Sequence, residues 1–148
     1  MSVPDRIAAA LRQVVGDGLR SRGLTLAVAE SCSGGLLSKR ITDLPGASDY
    51  YKGGVCSYTN EVKMKLLGVQ KETLDRYGAV SAQTAEEMAA GVARILGTDV
   101  GVGITGNAGP GASEEKEVGL VYISVYFQGE RITRKTTNTL GRDRVRNQ

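Results

Sequence analysis

The stretch 24–35, LTLAVAESCSGG, constrains the fold more than any other part of this chain. Its apolar half, around Leu24, Leu26 and Val28, is long enough for one buried strand. It breaks into Glu30-Ser31-Cys32-Ser33-Gly34-Gly35, after which Leu37, Ile41 and Leu44 recur on one helical face. Strand, small-residue turn and helix is the way an α/β protein presents a reactive or ligand-holding loop at the carboxyl end of a strand. The N–H groups of such a turn, with the dipole of the helix behind them, suit an anion such as a phosphate. Three nucleophile atoms, on Ser31, Cys32 and Ser33, stand there beside the Glu30 carboxylate. A plainer alternative makes Ser33 a helix cap and Ser31 a small turn residue.

Histidine is absent from all 148 residues. That excludes a Ser-His-Asp triad, a Cys-His pair and any histidine-ligated metal. The two cysteines, Cys32 and Cys56, cannot make a zinc site by themselves, and nothing in them suggests a disulfide framework. No metal site is expected, and a hydrolytic base would have to be a lysine, a carboxylate, a tyrosine or an N-terminal amine. A net charge of +3 is too small to imply nucleic acid. No apolar run approaches the ~20 residues that span a bilayer. With no secretory signal pattern at the N-terminus, a cytoplasmic protein is expected.

In chain order, residues 4–22 read as a helix, with Pro4 at its start and Gly23 at its end. After the second helix, 44–48 is a turn cluster and 50–58 a strand, in which Gly53 and Gly54 suggest a bulge or a close backbone approach. Asn60 is the expected N-cap of a short helix through Leu67. Lys63 then falls in the first turn, where the dipole disfavours a cation and lowers the pKa of an amine. A solvated surface lysine is the competing reading. A short helix follows over 70–77, then a long one capped by Ser81, with Ala85, Met88, Ala89, Val92, Ile95 and Leu96 along one face. Residues 99–105 form a strand running into the glycine-rich loop GNAGPGASEEKEVG. Gly101, Gly103 and Gly106 match G-x-G-x-x-G formally, but no helix starts there, so the dinucleotide reading is rejected. Residues 118–127 read as a central strand covered on both faces, 131–138 as an edge strand, and 140–148 as the start of a last helix. The order implies a three-layer α/β/α sandwich with a mixed central sheet, a single domain over 1–148 whose final helix is expected to be incomplete.

Four stretches, AESCSGGLLSKRITDLPGAS, YKGGVCSYTNEVKMKLLGV, YGAVSAQTAEEMAAGVA and GITGNAGPGA, in this order and spacing, resemble the C-terminal domain family of CinA proteins. The resemblance runs from about Leu11 to Arg146. It includes stand-alone nicotinamide mononucleotide deamidases, and so implies hydrolysis of that nucleotide to nicotinate mononucleotide and ammonia without a cofactor. It also implies roles: Ser31 as nucleophile, Lys63 as base and Tyr58 in the site, with Glu30, Ser33, Gly34, Gly35, Thr105, Gly106, Asn107 and Arg142 binding substrate. The chain departs from the family pattern at 111–119, where the usual second glycine and a proline are missing and Glu114, Glu115 and Glu117 are added.

The resemblance suits the missing histidine, because a lysine of lowered pKa can take the proton of a serine. Expected partners are a small-molecule nucleotide and a second copy of the chain, with neither nucleic acid nor membrane. The alternative is a nucleotide-binding module without catalysis, linked to competence or DNA damage.

Overall fold

The computed structural model describes residues 2–109, 116–137 and 145–146. Helix α1 (Val3–Arg22) begins at a capping box, Ser2 with Asp5, has Pro4 in its first turn, and stops where Gly23 turns left-handed at φ 64°. Strand β1 (Leu26–Glu30) follows, then α2 (Leu36–Thr42), a short 3-10 turn (Ala47–Asp49) and β2 (Tyr51–Cys56). Helices α3 (Asn60–Leu67), α4 (Lys71–Tyr77) and α5 (Ala82–Leu96) come next. Strands β3 (Val100–Gly106), β4 (Val121–Phe127) and β5 (Glu130–Thr136) complete the sheet.

The sheet order is β2-β1-β3-β4-β5. β1 is parallel to both of its neighbours, whereas β3, β4 and β5 run antiparallel in turn, so the sheet is mixed as expected. The chain moves from β1 outward to β2 and then returns to the other side of β1 for β3. Such a reversal opens a crevice at the carboxyl ends of the strands.

Period-2 alternation sorts the side chains between two layers. Ala27 and Ala29 face α5 and pack with Leu67, Val69, Leu74, Met88 and Val92. On β3 the α5-facing positions are Gly101 and Gly103, where a Cβ would come within 2.0 Å and 2.3 Å of the carbonyl oxygens of Ala89 and Ala85. Glycine lets the helix backbone lie directly on the strand. Both readings of the β2 glycines hold. Gly53 sits at a register shift with φ 148°, and a Cβ on Gly54 would meet Val28 at 2.9 Å.

The opposite layer is thinner. Leu26, Val28, Val102, Ile104, Ile123 and Val125 floor an apolar groove of about 410 Å³, flanked by α1 and α2. Two expectations change here. β4 is internal but not covered along its whole length, and on the side away from α5 Val125 remains 37% exposed. On α5, Ala85, Met88, Ala89 and Val92 are buried as expected, whereas Ile95 and Leu96, in the last turn of the helix, are exposed. Among the described residues, no helix is long and apolar enough to cross a membrane.

Candidate active site

Alternation also decides what the 30–35 turn does. Glu30 follows Leu26 and Val28 toward the α2 layer, while Ser31, in step with Ala27 and Ala29, turns toward α3. The Glu30 carboxylate is 1% exposed and accepts four hydrogen bonds. They come from the Ser33 hydroxyl (2.8 Å), the Leu37 N–H (2.8 Å), and the N–H (3.0 Å) and hydroxyl (2.8 Å) of Ser38. The Tyr51 hydroxyl donates onward to Ser38 at 2.8 Å. The anion at the start of α2 is therefore supplied by the protein itself. Gly35 occupies the N-cap position with no side-chain bond, and the capping that the plainer alternative gave to Ser33 is done by Glu30.

Ser31 has a different neighbour. The Lys63 amine lies 3.0 Å from its Oγ and 3.2 Å from the Tyr58 carbonyl oxygen. Lys63 is 1% exposed and Ser31 6%, so the surface-lysine reading fails on burial. The helix that carries Lys63 is capped by Thr59, whose Oγ accepts from the Val62 N–H at 3.3 Å, one residue before the expected Asn60. β1 and β2 are adjacent and parallel, so their carboxyl ends bring the serine turn and the start of α3 together. Ser57 ties the two, its N–H donating to the Glu30 carbonyl at 2.7 Å.

A cleft of about 310 Å³ opens beside this pair, lined by Ser31, Cys32, Tyr58, Asn60, Lys63, Ala79, Val80 and the run from Thr105 to Gly109. That volume falls in the lower range of small-molecule sites. Thr105 closes one wall, its hydroxyl donating to the Ala79 carbonyl at 2.7 Å. Asn107 holds the glycine-rich loop in shape: its Oδ1 accepts from the Gly109 N–H at 3.1 Å, and its backbone N–H donates to Leu120 O at 2.9 Å. Tyr58 is 58% exposed at the mouth.

Thus Ser31, Lys63, Tyr58, Thr105, Gly106 and Asn107 share the cleft. Glu30, Ser33, Gly34 and Gly35 are not among its lining residues and build the turn and the start of α2 instead. Arg142 lies outside the described residues. Cys32, read as a candidate nucleophile, and Asn60, read as a helix cap, also line the cleft, as do Ala79, Val80, Ala108 and Gly109, which had not been singled out. Ala79 and Val80 sit in the YGAVSAQT stretch, which contributes to the family resemblance but was otherwise legible only as the approach to a helix.

Both cysteines are free. Burial pushes the Cys32 thiol up to about 11 from 9.0, partly offset by the charges of Arg146 and Lys63. It therefore stays a thiol at neutral pH and is a poor nucleophile beside Ser31. Among the described residues no three His, Cys, Asp or Glu side chains gather as metal ligands.

Fold and site together define an α/β sandwich that presents a buried Ser–Lys pair at the carboxyl ends of two parallel strands. The family model of the CinA C-terminal domain matches residues 8–148, and the chain belongs to that family. A competence-damage inducible protein of Moorella thermoacetica is 57% identical over 121 residues, which is 81% of this chain and 29% of that protein. A CinA-like protein of Kosmotoga olearia is 47% identical over 93% of this chain and 34% of its own length. The chain thus spans about a third of the curated relatives it matches. Among solved structures, a CinA superfamily protein of Escherichia coli superposes with a TM-score of 0.91 at 31% identity, covering 99% of this chain and 85% of that one. A competence/damage inducible protein of Agrobacterium tumefaciens gives 0.89 at 37% identity, covering 94% and 86%.

Proposed function

We propose that this cleft hydrolyses the carboxamide of nicotinamide mononucleotide, yielding nicotinate mononucleotide and ammonia. The observation that carries the reading is the buried Lys63 amine 3.0 Å from Ser31 Oγ, in a chain that has no histidine to serve as base. Protonated, the amine donates to Oγ. Neutral, it accepts the serine proton across the same contact. Ser31 Oγ then bonds to the carboxamide carbon, and Lys63 passes the proton to the departing nitrogen, which leaves as ammonia. Water attacks the resulting ester with Lys63 again taking a proton, which frees the carboxylate and restores Ser31. The Tyr58 carbonyl fixes the direction of the amine throughout. Turn N–H groups near Ser31 carry the oxyanion, a contribution of ~3–4 kcal/mol per donor in other enzymes. The glycine-rich loop from Gly106 to Gly109 and Arg142 are the groups proposed to receive the phosphate.

The test is ammonia release by the purified chain given nicotinamide mononucleotide, with Ser31→Ala as the blank. Nicotinamide riboside, which lacks the phosphate, is expected to be a much poorer substrate. Equal kcat/KM for the two would remove the phosphate site. Tight binding of the mononucleotide with no ammonia released would instead make the domain a nucleotide-binding module.

A further inference from the structure

The flank of the serine turn that faces away from Lys63 carries an interaction that the reaction above does not use. Val145, 2% exposed, is packed against Cys32, Ile104, Ala108 and Val121. Next to it, Arg146 donates from Nε to the Cys32 carbonyl oxygen at 2.8 Å, across 114 residues of sequence. The same guanidinium lies 3.4 Å from where a Cβ on Gly34 would stand, so it closes over the turn from outside. The turn is itself shut by the Gly34 N–H donating to Ser31 O at 3.1 Å. Arg146 therefore grips the one peptide unit, Cys32–Ser33, that lies between the nucleophile and the closing bond.

We infer that Arg146 is a positioning residue for the nucleophile turn, holding the Cys32–Ser33 peptide so that its N–H serves the oxyanion formed at Ser31. A charge-assisted bond to a carbonyl is shorter and stronger than a neutral one. A cation on the oxygen of a peptide unit also polarises that unit, which makes its N–H a better donor. Both effects act on the geometry and strength of an oxyanion contact and leave substrate affinity nearly untouched. The inference rests on the acyl-transfer reading of Ser31 given above. It adds a role to a residue 114 positions away that does not line the cleft.

The experiment uses the full chain, as wild type, Arg146→Ala and Arg146→Lys, with two readouts. One is ammonia release from nicotinamide mononucleotide. The other is the rate at which a small alkyl fluorophosphonate labels Ser31, forming an Oγ–P bond and expelling fluoride. Arg146→Ala should lower kcat by about a hundredfold with KM within a few-fold, and slow labelling in parallel. Added guanidinium ion should restore both rates in Arg146→Ala alone. A pocket of about 130 Å³ lined by Cys32, Ser33, Arg40 and Arg146 opens on this flank and gives the ion a way in. Arg146→Lys, which keeps the cation and the stem, should fall between the two and supplies the comparison if the alanine variant does not fold. Rates within twofold of wild type would overturn the inference, as would a loss that follows the unfolded fraction and ignores guanidinium. Labelling of wild-type Ser31 without ammonia release would remove the proposed substrate while the labelling rates still judge Arg146. A wild type that neither labels nor turns over would remove both.

Discussion

Glu30 and Ser31 are neighbours in sequence that serve opposite layers, and each makes a prediction of its own. Ser31→Ala and Lys63→Met should each reduce kcat/KM by about a thousandfold, and the double variant should be little worse, since the two side chains act as one unit. In the proposed reaction the pair works only with the amine neutral, so activity should rise with pH in the wild type, and a pH-rate profile checks this. Cys32 gives a prediction in the other direction. Its folded thiol keeps its proton up to about 11, against 9.0 for an ordinary thiol, so between these values the folded state binds more protons than the unfolded state. The stability contributed by the protonated, buried thiol is fully present below pH 9 and lost as pH rises toward 11. Urea unfolding across that range should show wild type losing stability relative to Cys32→Ala, while Cys32→Ala retains deamidation at neutral pH.

At the scale of elements, two contacts hold the site in place: α2 on the Glu30 carboxylate and α5 on the glycines of β3. Glu30→Gln keeps the shape but turns an amide donor toward donors that now point at a carboxylate. It should cost about 2 kcal/mol, read as a lower unfolding temperature. The loss should appear as faster amide exchange at Leu37 and Ser38, whose N–H groups Glu30 accepts. Gly101→Ala would drive a Cβ to 2.0 Å from the Ala89 carbonyl. Neither strand nor helix backbone can yield there cheaply, so a destabilisation of about 3 kcal/mol or more is expected in denaturant titration.

For the whole molecule, the asymmetry between the layers is the main feature. On one side α5 covers the centre of the sheet, with α3 and α4 packed against it. On the other, the apolar groove lies open between α1 and the strands, and Leu11, Val14 and Val15 of α1 are more than half exposed. An apolar surface of this kind binds hydrophobic probes. The native chain should therefore enhance anilinonaphthalene sulfonate fluorescence without denaturant. Leu11→Gln, at the exposed rim, should reduce that signal with the circular dichroism unchanged.

The sequence by itself determined most of the elements and the class of fold. Local signals are short-range: Pro4 and Gly23 bound α1, Ser81 caps α5, a short apolar run marks β1, and valines and isoleucine alternating with glycines mark β3. The missing histidine, a fact of composition, had already narrowed any hydrolytic base to a few residue types, and family-like motifs singled out Ser31 and Lys63. Only the tertiary structure decided which of the turn residues face the cleft. Strand parity sends Glu30 to α2 and Ser31 to α3, and a linear motif containing both does not distinguish them. Burial of Lys63 likewise depends on α3 landing beside the end of β1, which is a property of strand order. The grip of Arg146 on the Cys32 carbonyl joins residues that only the folded sheet brings within hydrogen-bond reach.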